Sequence, residues 1–204
     1  MDADIAARAG MPVPALARAY LSGGARFLQL RAKNATGREF LAWADEIAAD
    51  VRRHDGLFVV NDRADIASLA GVRGIHVGQD DLPVEAVRRV IGPDAFVGLS
   101  THTPEQIDEA LTQPVAYIAV GPIFGTRTKD TGYAAVGLDL VRLAASKANA
   151  ARPGGVPVVA IGGITLENAQ SVLSAGASSV AIITDLVSTG DPAARAAEFT
   201  TALR

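Results

Sequence analysis

The chain contains no cysteine, which excludes disulfides, thiolate metal sites and cysteine nucleophiles and fits a reducing compartment without requiring one. It also lacks any block of lysines or arginines. Its 19 basic residues are scattered and the formal net charge is −3, so no nucleic-acid footprint is expected. No apolar run approaches the ~20 residues that a membrane helix needs. The opening MDADIAARAG has no basic segment followed by an apolar one, so no secretory signal is expected. What remains is a chain of 204 residues, 49% hydrophobic, with enough apolar material for a sizeable core. α/β barrels reach this size as one unit. The expectation is a single soluble domain, 1–204, in the cytoplasm.

Short β-rich runs recur along the chain: 26–30, 57–60, 74–77, 95–99, 115–120, 156–161 and 179–183. Most are continuously apolar rather than alternating, as parallel strands covered on both faces should be. Helical patterns alternate with them, over 13–21, 37–53, 64–69, 83–91, 104–111, 138–151, 166–175 and 192–203. Pro83, Pro104 and Pro192 stand where helices should begin, a position that tolerates a missing N–H. Strict βα alternation implies a parallel sheet with right-handed crossovers. A closed (β/α)₈ TIM barrel is favoured over an open sheet, although periodicity alone does not choose. The count gives seven strands, and the first clear element is a helix. The chain thus reads as a barrel lacking its first β-strand, either because the strand lies upstream or because the barrel has an open edge; the former is expected, since the latter leaves backbone groups unpaired.

In such folds the chemistry lies just after the strands. Gln29, Arg31 and Lys33 end the first run, and alternation would point them the same way. Two cations and an amide suit an oxyanion-rich ligand. Asn61 and Asp62 follow the second run, and Gly78-Gln79-Asp80-Asp81 the third. Singly, each Asp reads as a turn or cap residue. Together they can share a hard cation, since Mg²⁺ takes one or two carboxylates plus phosphate oxygens. Ser100-Thr101-His102 follows the fourth run; Ser100 offers a hydroxyl, and a lone His102 near a helix start is more often structural than catalytic. Gly162-Gly163 before a helix lets backbone approach an anion, and Ile183-Thr184 ends the last run. Between these groups lies GPIFGTRTKDTG, 121–132, a glycine-bracketed loop that reads as a polar turn on its own and as a lid beside two phosphate sites.

The stretches QLRAK, VNDRADIA, IHVGQDDLP, GLSTH, GPIFGTRTK and VVAIGGITLENA, in this order, resemble the thiamine phosphate synthase family over nearly the whole chain. The resemblance implies a (β/α)₈ barrel, Mg²⁺, and two small-molecule substrates, a hydroxymethylpyrimidine diphosphate and a thiazole phosphate that is carboxylated in many bacteria. It implies that Gln29, Arg31, Lys33, Asn61 and Ser100 bind the pyrimidine diphosphate and that Asp62 and Asp81 ligate magnesium. Thr126 and Thr128 would contact the thiazole phosphate, Lys129 the diphosphate, and Gly163, Ile183 and Thr184 would close the phosphate site. Arg31, Lys33, Ser100 and Lys129 are then the catalytic set, and the reaction releases diphosphate before the thiazole nitrogen captures a pyrimidine-methyl cation. A thiazole tautomerase relative would not need the diphosphate set, and a non-catalytic phosphate-binding paralogue is the other alternative.

Two features depart from the family pattern. Thr184-Asp185-Leu186 stands where many members have Ser-Ala-Ile, which puts a carboxylate beside an expected phosphate. Members also have a strand before the segment matching Asp2–Arg8. The sequence leaves a homo-oligomer open, and it does not assign Arg127 or His102.

Overall fold

The computed structural model describes residues 1–125 and 133–203. Seven strands follow one another in chain order in one sheet, and the described ladders are parallel. The chain forms an α/β fold divided into two compact units: Met1–His76, Glu85–Phe96 and Ile183–Arg204 in one, Val77–Val84 and Val97–Ile182 in the other.

The first unit contains α1 (Ala3–Arg8), α2 (Val13–Ser22), β1 (Phe27–Leu30), α3 (Gly37–Arg53), β2 (Leu57–Asn61) and α4 (Ala64–Leu69). It also holds β3 (Gly74–Val77) up to His76, α5 (Val84–Ile91) from Glu85, a 3₁₀ turn (Asp185–Val187) and α9 (Pro192–Ala202). Its core joins Leu16 and Leu21 of α2 to Leu28 and Leu30 of β1, Phe40, Ile47 and Val51 of α3, Phe58 and Val60 of β2, and Ala196 of α9. A capping box starts α3: Thr36 Oγ1 accepts from Glu39 N–H at 3.3 Å and Glu39 Oε2 accepts from Thr36 N–H at 3.0 Å. Together these satisfy two donors at the helix start, a signal already present as T-x-x-E. Thr200 Oγ1 donates to the Gly23 carbonyl at 2.9 Å and ties α9 to the end of α2.

The second unit contains β4 (Phe96–Thr101) from Val97, α6 (Pro104–Thr112), β5 (Tyr117–Val120), α7 (Gly137–Ala151), β6 (Val158–Ile161), α8 (Leu166–Ser174) and β7 (Ser179–Ala181). All four residues of β5 are buried, as are the first three of β6, so a continuous apolar run was the right signal for these strands. Ile118 and Val120 pair with Val158 and Ala160.

Seven strands were expected and seven are described, but the start of the chain differs from expectation. Met1–Ala3 lies along the end of β1: Asp2 bridges Arg31 in parallel, Arg31 N–H donates to the Met1 carbonyl at 2.9 Å and Ala3 N–H to the Arg31 carbonyl at 2.9 Å. Helix α1 follows at once. Periodicity missed it because six residues, with only Ile5 and Ala6 buried, carry no measurable stripe. The last strand is shorter than its apolar run, ending at Ala181 rather than residue 183.

Candidate functional site

The sequence candidates fall on both units. In the first, Gln29 lies on β1 between buried Leu28 and Leu30 and opposite Val59 of β2. Beyond Leu30 the strand ends, and Lys33 sits in a turn. The alternation that the sequence pattern extended to Lys33 therefore stops short of it, while Arg31 still bridges Asp2 in parallel. The two cations meet different carboxylates. Arg31 Nη1 contacts Asp2 Oδ2 at 2.6 Å, and Lys33 Nζ contacts Asp62 Oδ2 at 2.8 Å.

Asp62 occupies an unusual backbone position. Its φ is +62°, a left-handed conformation in which Asp and Asn are the best tolerated of the residues with a Cβ. Its N–H donates to the His76 carbonyl at 2.8 Å, and its own carbonyl accepts from Ala64 N–H at 3.1 Å. Buried Asn61 pairs with His76 in the β2–β3 ladder. The chain thus turns sharply at the strand end and presents Asp62 to Lys33. A left-handed non-glycine residue at such a point is typical of a site that over-determines its backbone.

In the second unit, Asp81 folds back on its own loop: its Oδ2 accepts from Gly78 N–H at 2.8 Å. Gln79 Nε2 donates to the Ser100 carbonyl at 2.6 Å, which fixes the loop after β3 to β4. Gln79 was not among the expected residues, and no pattern in the sequence pairs it with a strand carbonyl. Both Asp62 and Asp81 are hard oxygen donors on well-anchored loops, the ligand type that magnesium prefers when phosphate oxygens complete its shell. Among the described residues no group of three or more His, Asp or Glu is arranged to hold a metal. A cation shared with phosphate needs only one or two carboxylates.

His102 is held at several points. Its backbone N–H donates to Gln106 Oε1 at 2.7 Å, its Nδ1 meets the Gly121 carbonyl, and its ring stacks on Tyr133 with centroids 4.1 Å apart. Gln106 Nε2 donates to Tyr133 Oη at 3.1 Å. Gly121 and Tyr133 flank the loop that contains Thr126, Arg127, Thr128 and Lys129. Those four residues lie outside the described ones. The loop's two ends are joined: Val136 N–H donates to the Pro122 carbonyl at 2.8 Å and Gly137 N–H to Ile123 at 3.0 Å. Its entry also extends the sheet, through Ile123 N–H to the Ile161 carbonyl at 2.9 Å and Phe124 N–H to Gly162 at 3.0 Å.

Asn168 is a second residue the sequence did not single out. It accepts from Thr165 N–H at 2.9 Å and donates to the Gly163 carbonyl at 3.1 Å, so it pins the diglycine turn to the start of α8. Ile183 and Thr184 follow β7 in the first unit, where Thr184 precedes the 3₁₀ turn. Asp185, the departure from the family pattern, is neutralised: its Oδ2 accepts from Arg195 Nε at 3.1 Å and Nη2 at 2.8 Å. Both side chains are largely buried, and Arg195 also lies over the Phe199 ring. Arg195→Gln should therefore expose any anion bound near Thr184 to the Asp185 charge. The expected result is a raised KM for a phosphorylated substrate at that end with little change in kcat; steady-state kinetics on the variant check it.

These features define an α/β protein whose polar residues sit at the carboxyl ends of parallel strands. The family model described as thiamine monophosphate synthase (TMP-TENI) matches residues 4–186. Two bacterial proteins named thiamine-phosphate synthase are each 46% identical to the chain: that of Koribacter versatilis over 183 residues, 90% of this chain and 82% of that one, and that of Acidothermus cellulolyticus over 188 residues, 92% and 86%. A solved structure of thiamine phosphate pyrophosphorylase from Pyrococcus furiosus superposes with a TM-score of 0.85 at 30% identity, covering 94% of this chain and 89% of that one. The chain belongs to the thiamine monophosphate synthase family.

Proposed function

We propose that the chain condenses a hydroxymethylpyrimidine diphosphate with a thiazole phosphate, giving thiamine phosphate and diphosphate. The observation that carries this reading is 46% identity over nine-tenths of the chain to proteins named for that activity, with the diphosphate-type residues present throughout. The reaction breaks the bond between the pyrimidine methylene carbon and the diphosphate oxygen, and the thiazole nitrogen then supplies the electron pair of the new C–N bond. No protein nucleophile is needed. The chain's task is to stabilise charge on the leaving group and to keep water from the cation.

Arg31, Lys33 and Lys129 take the developing diphosphate charge, Arg31 through a fork and the lysines as point charges. Gln29, Asn61 and Ser100 orient the pyrimidine diphosphate. Asp62 and Asp81 hold Mg²⁺, which when bound neutralises leaving-group oxygens. Thr126 and Thr128, with Gly163, Ile183 and Thr184, bind the thiazole phosphate. The ion pair between Lys33 and Asp62 supports this division, because a cation for the leaving group, in the turn after β1, already meets a carboxylate for the metal at the end of β2. We further assign the seven strands to an eight-stranded barrel forming one domain over 1–204, with Met1–Ala3 on its first strand; the parallel bridge of Asp2 to Arg31 supports that reading. The cytoplasm is its proposed compartment.

Purified chain given both substrates and Mg²⁺ should form thiamine phosphate, and excess EDTA should abolish turnover without lowering the melting temperature. Binding of thiazole phosphate without turnover under any magnesium concentration would favour the non-catalytic reading instead.

A further inference from the structure

Asp2 is a buried carboxylate that the reaction above does not use. Its side chain is 5% exposed. One oxygen, Oδ1, accepts from Asp4 N–H at 3.1 Å and Ile5 N–H at 3.2 Å, capping α1. The other, Oδ2, accepts from Arg31 Nη1 at 2.6 Å. The backbone of the same residue forms the parallel bridge to Arg31. The main chain of Arg31 is thus held by Met1 and Ala3 on either side of Asp2, and its guanidinium by the Asp2 carboxylate.

Capping alone does not explain a carboxylate here. Asn or Ser caps a helix as well as Asp does, and a buried charge costs free energy unless it is paired. The pairing with Arg31 accounts for the charge. Arg31 in turn keeps a donor in reserve: its Nε is buried and has no hydrogen-bond partner among the described residues. Nε and Nη2 form the edge of the fork that grips an oxyanion with two parallel N–H groups, while Nη1 is the atom Asp2 holds. A side chain with several rotatable bonds presents that edge in one direction only when its remaining donor is tied down.

We propose that Asp2 is a positioning residue for Arg31: by holding Nη1 it commits the Nε–Nη2 edge to an oxyanion of the pyrimidine diphosphate. This rests on the reading of Arg31 as a diphosphate ligand. Asp2→Asn is the informative variant, since it retains the cap and removes the charge. Its KM for the pyrimidine diphosphate should rise about tenfold, the scale on which loss of an orienting partner acts, while the KM for thiazole phosphate stays at the parent value. In an Arg31→Gln background the same substitution should add nothing further, because the group it orients is gone. Parental kinetics in Asp2→Asn, or an equal loss in the Arg31→Gln background, would overturn the assignment. A calorimetric titration with inorganic diphosphate and Mg²⁺ separates this from the synthase reading. If the parent has no turnover yet binds diphosphate, about tenfold weaker binding by Asp2→Asn still supports the positioning role, and equal affinity defeats it. A parent chain that binds no diphosphate defeats both.

Discussion

Asp62→Asn and Asp81→Asn should each lower kcat by at least about a hundredfold, because a metal that neutralises leaving-group oxygens contributes several kcal/mol to the transition state and each 1.36 kcal/mol is tenfold. The folded state should barely notice the change at Asp62. Lys33, its partner, is 49% exposed, and an exposed ion pair contributes only about 0–1 kcal/mol once solvent screening is counted. Asparagine is the substitution to choose because it tolerates the left-handed φ of +62° at this position. Alanine there would add backbone strain and confuse a loss of stability with a loss of chemistry. At Asp81 asparagine keeps an oxygen that can accept from Gly78 N–H. The measurements are steady-state kinetics across a magnesium titration together with thermal melts. Wild-type turnover in both variants would remove the metal from these two residues.

A related consequence concerns Lys33 and Arg31. The sequence pattern placed both on one side of an extended β1, as a single anion grip. Arg31 still bridges Asp2 while Lys33 lies in a turn, and the two cations contact different carboxylates, Asp2 and Asp62. One is held by a turn, the other by a paired segment of chain nearly thirty residues away. Their contributions should therefore be separable: removing the Asp2 charge while keeping its cap of α1 acts on Arg31 and not on Lys33, and disturbing Asp62 acts on Lys33 and the metal.

This divergence also marks where the sequence stopped being legible. The strands were readable because a parallel strand buried on both faces must be continuously apolar, as 117–120 and 158–160 are. Most helices were readable from their stripes and from Pro104 and Pro192 at first positions. The candidate residues could be named because polar groups follow the apolar runs directly, and their roles are those proposed above. Contacts between distant segments were not readable. Nothing in the local pattern couples Asp2 to Arg31, Gln79 to the Ser100 carbonyl, or Asn168 to Gly163. The departure at Asp185 looked harmful because Arg195, ten residues on, carries no local sign that it will turn back to it. Helix α1 was missed for a different reason: it spans under two turns and buries only Ile5 and Ala6, too little for a period to register.

Gly162→Ala should lower the melting temperature by about 6–12 °C, on the basis of about 3 kcal/mol lost from strain and overpacking and about 2–4 °C per kcal/mol for a chain of this length. Two costs combine at this glycine. Its φ is +104°, and an added Cβ would lie 2.6 Å from both Cα and Cβ of Pro122. Pro122 has no room to retreat, because Ile123 N–H and Phe124 N–H are hydrogen-bonded to the carbonyls of Ile161 and Gly162 and the Pro122 carbonyl is bonded to Val136 N–H. Relief of the clash must break that short ladder, which carries the entry to the loop containing Thr126, Thr128 and Lys129. Activity should therefore fall more steeply than stability. Gly154→Ala is the control: its φ is +84°, yet nothing lies within 4 Å of an added Cβ, so only the backbone cost of about 1–2 kcal/mol applies and turnover should be unchanged. Melts and kinetics on the two variants, side by side, distinguish a close approach from a merely left-handed turn. Equal losses in both would show that the approach of Pro122 to Gly162 contributes nothing beyond conformation.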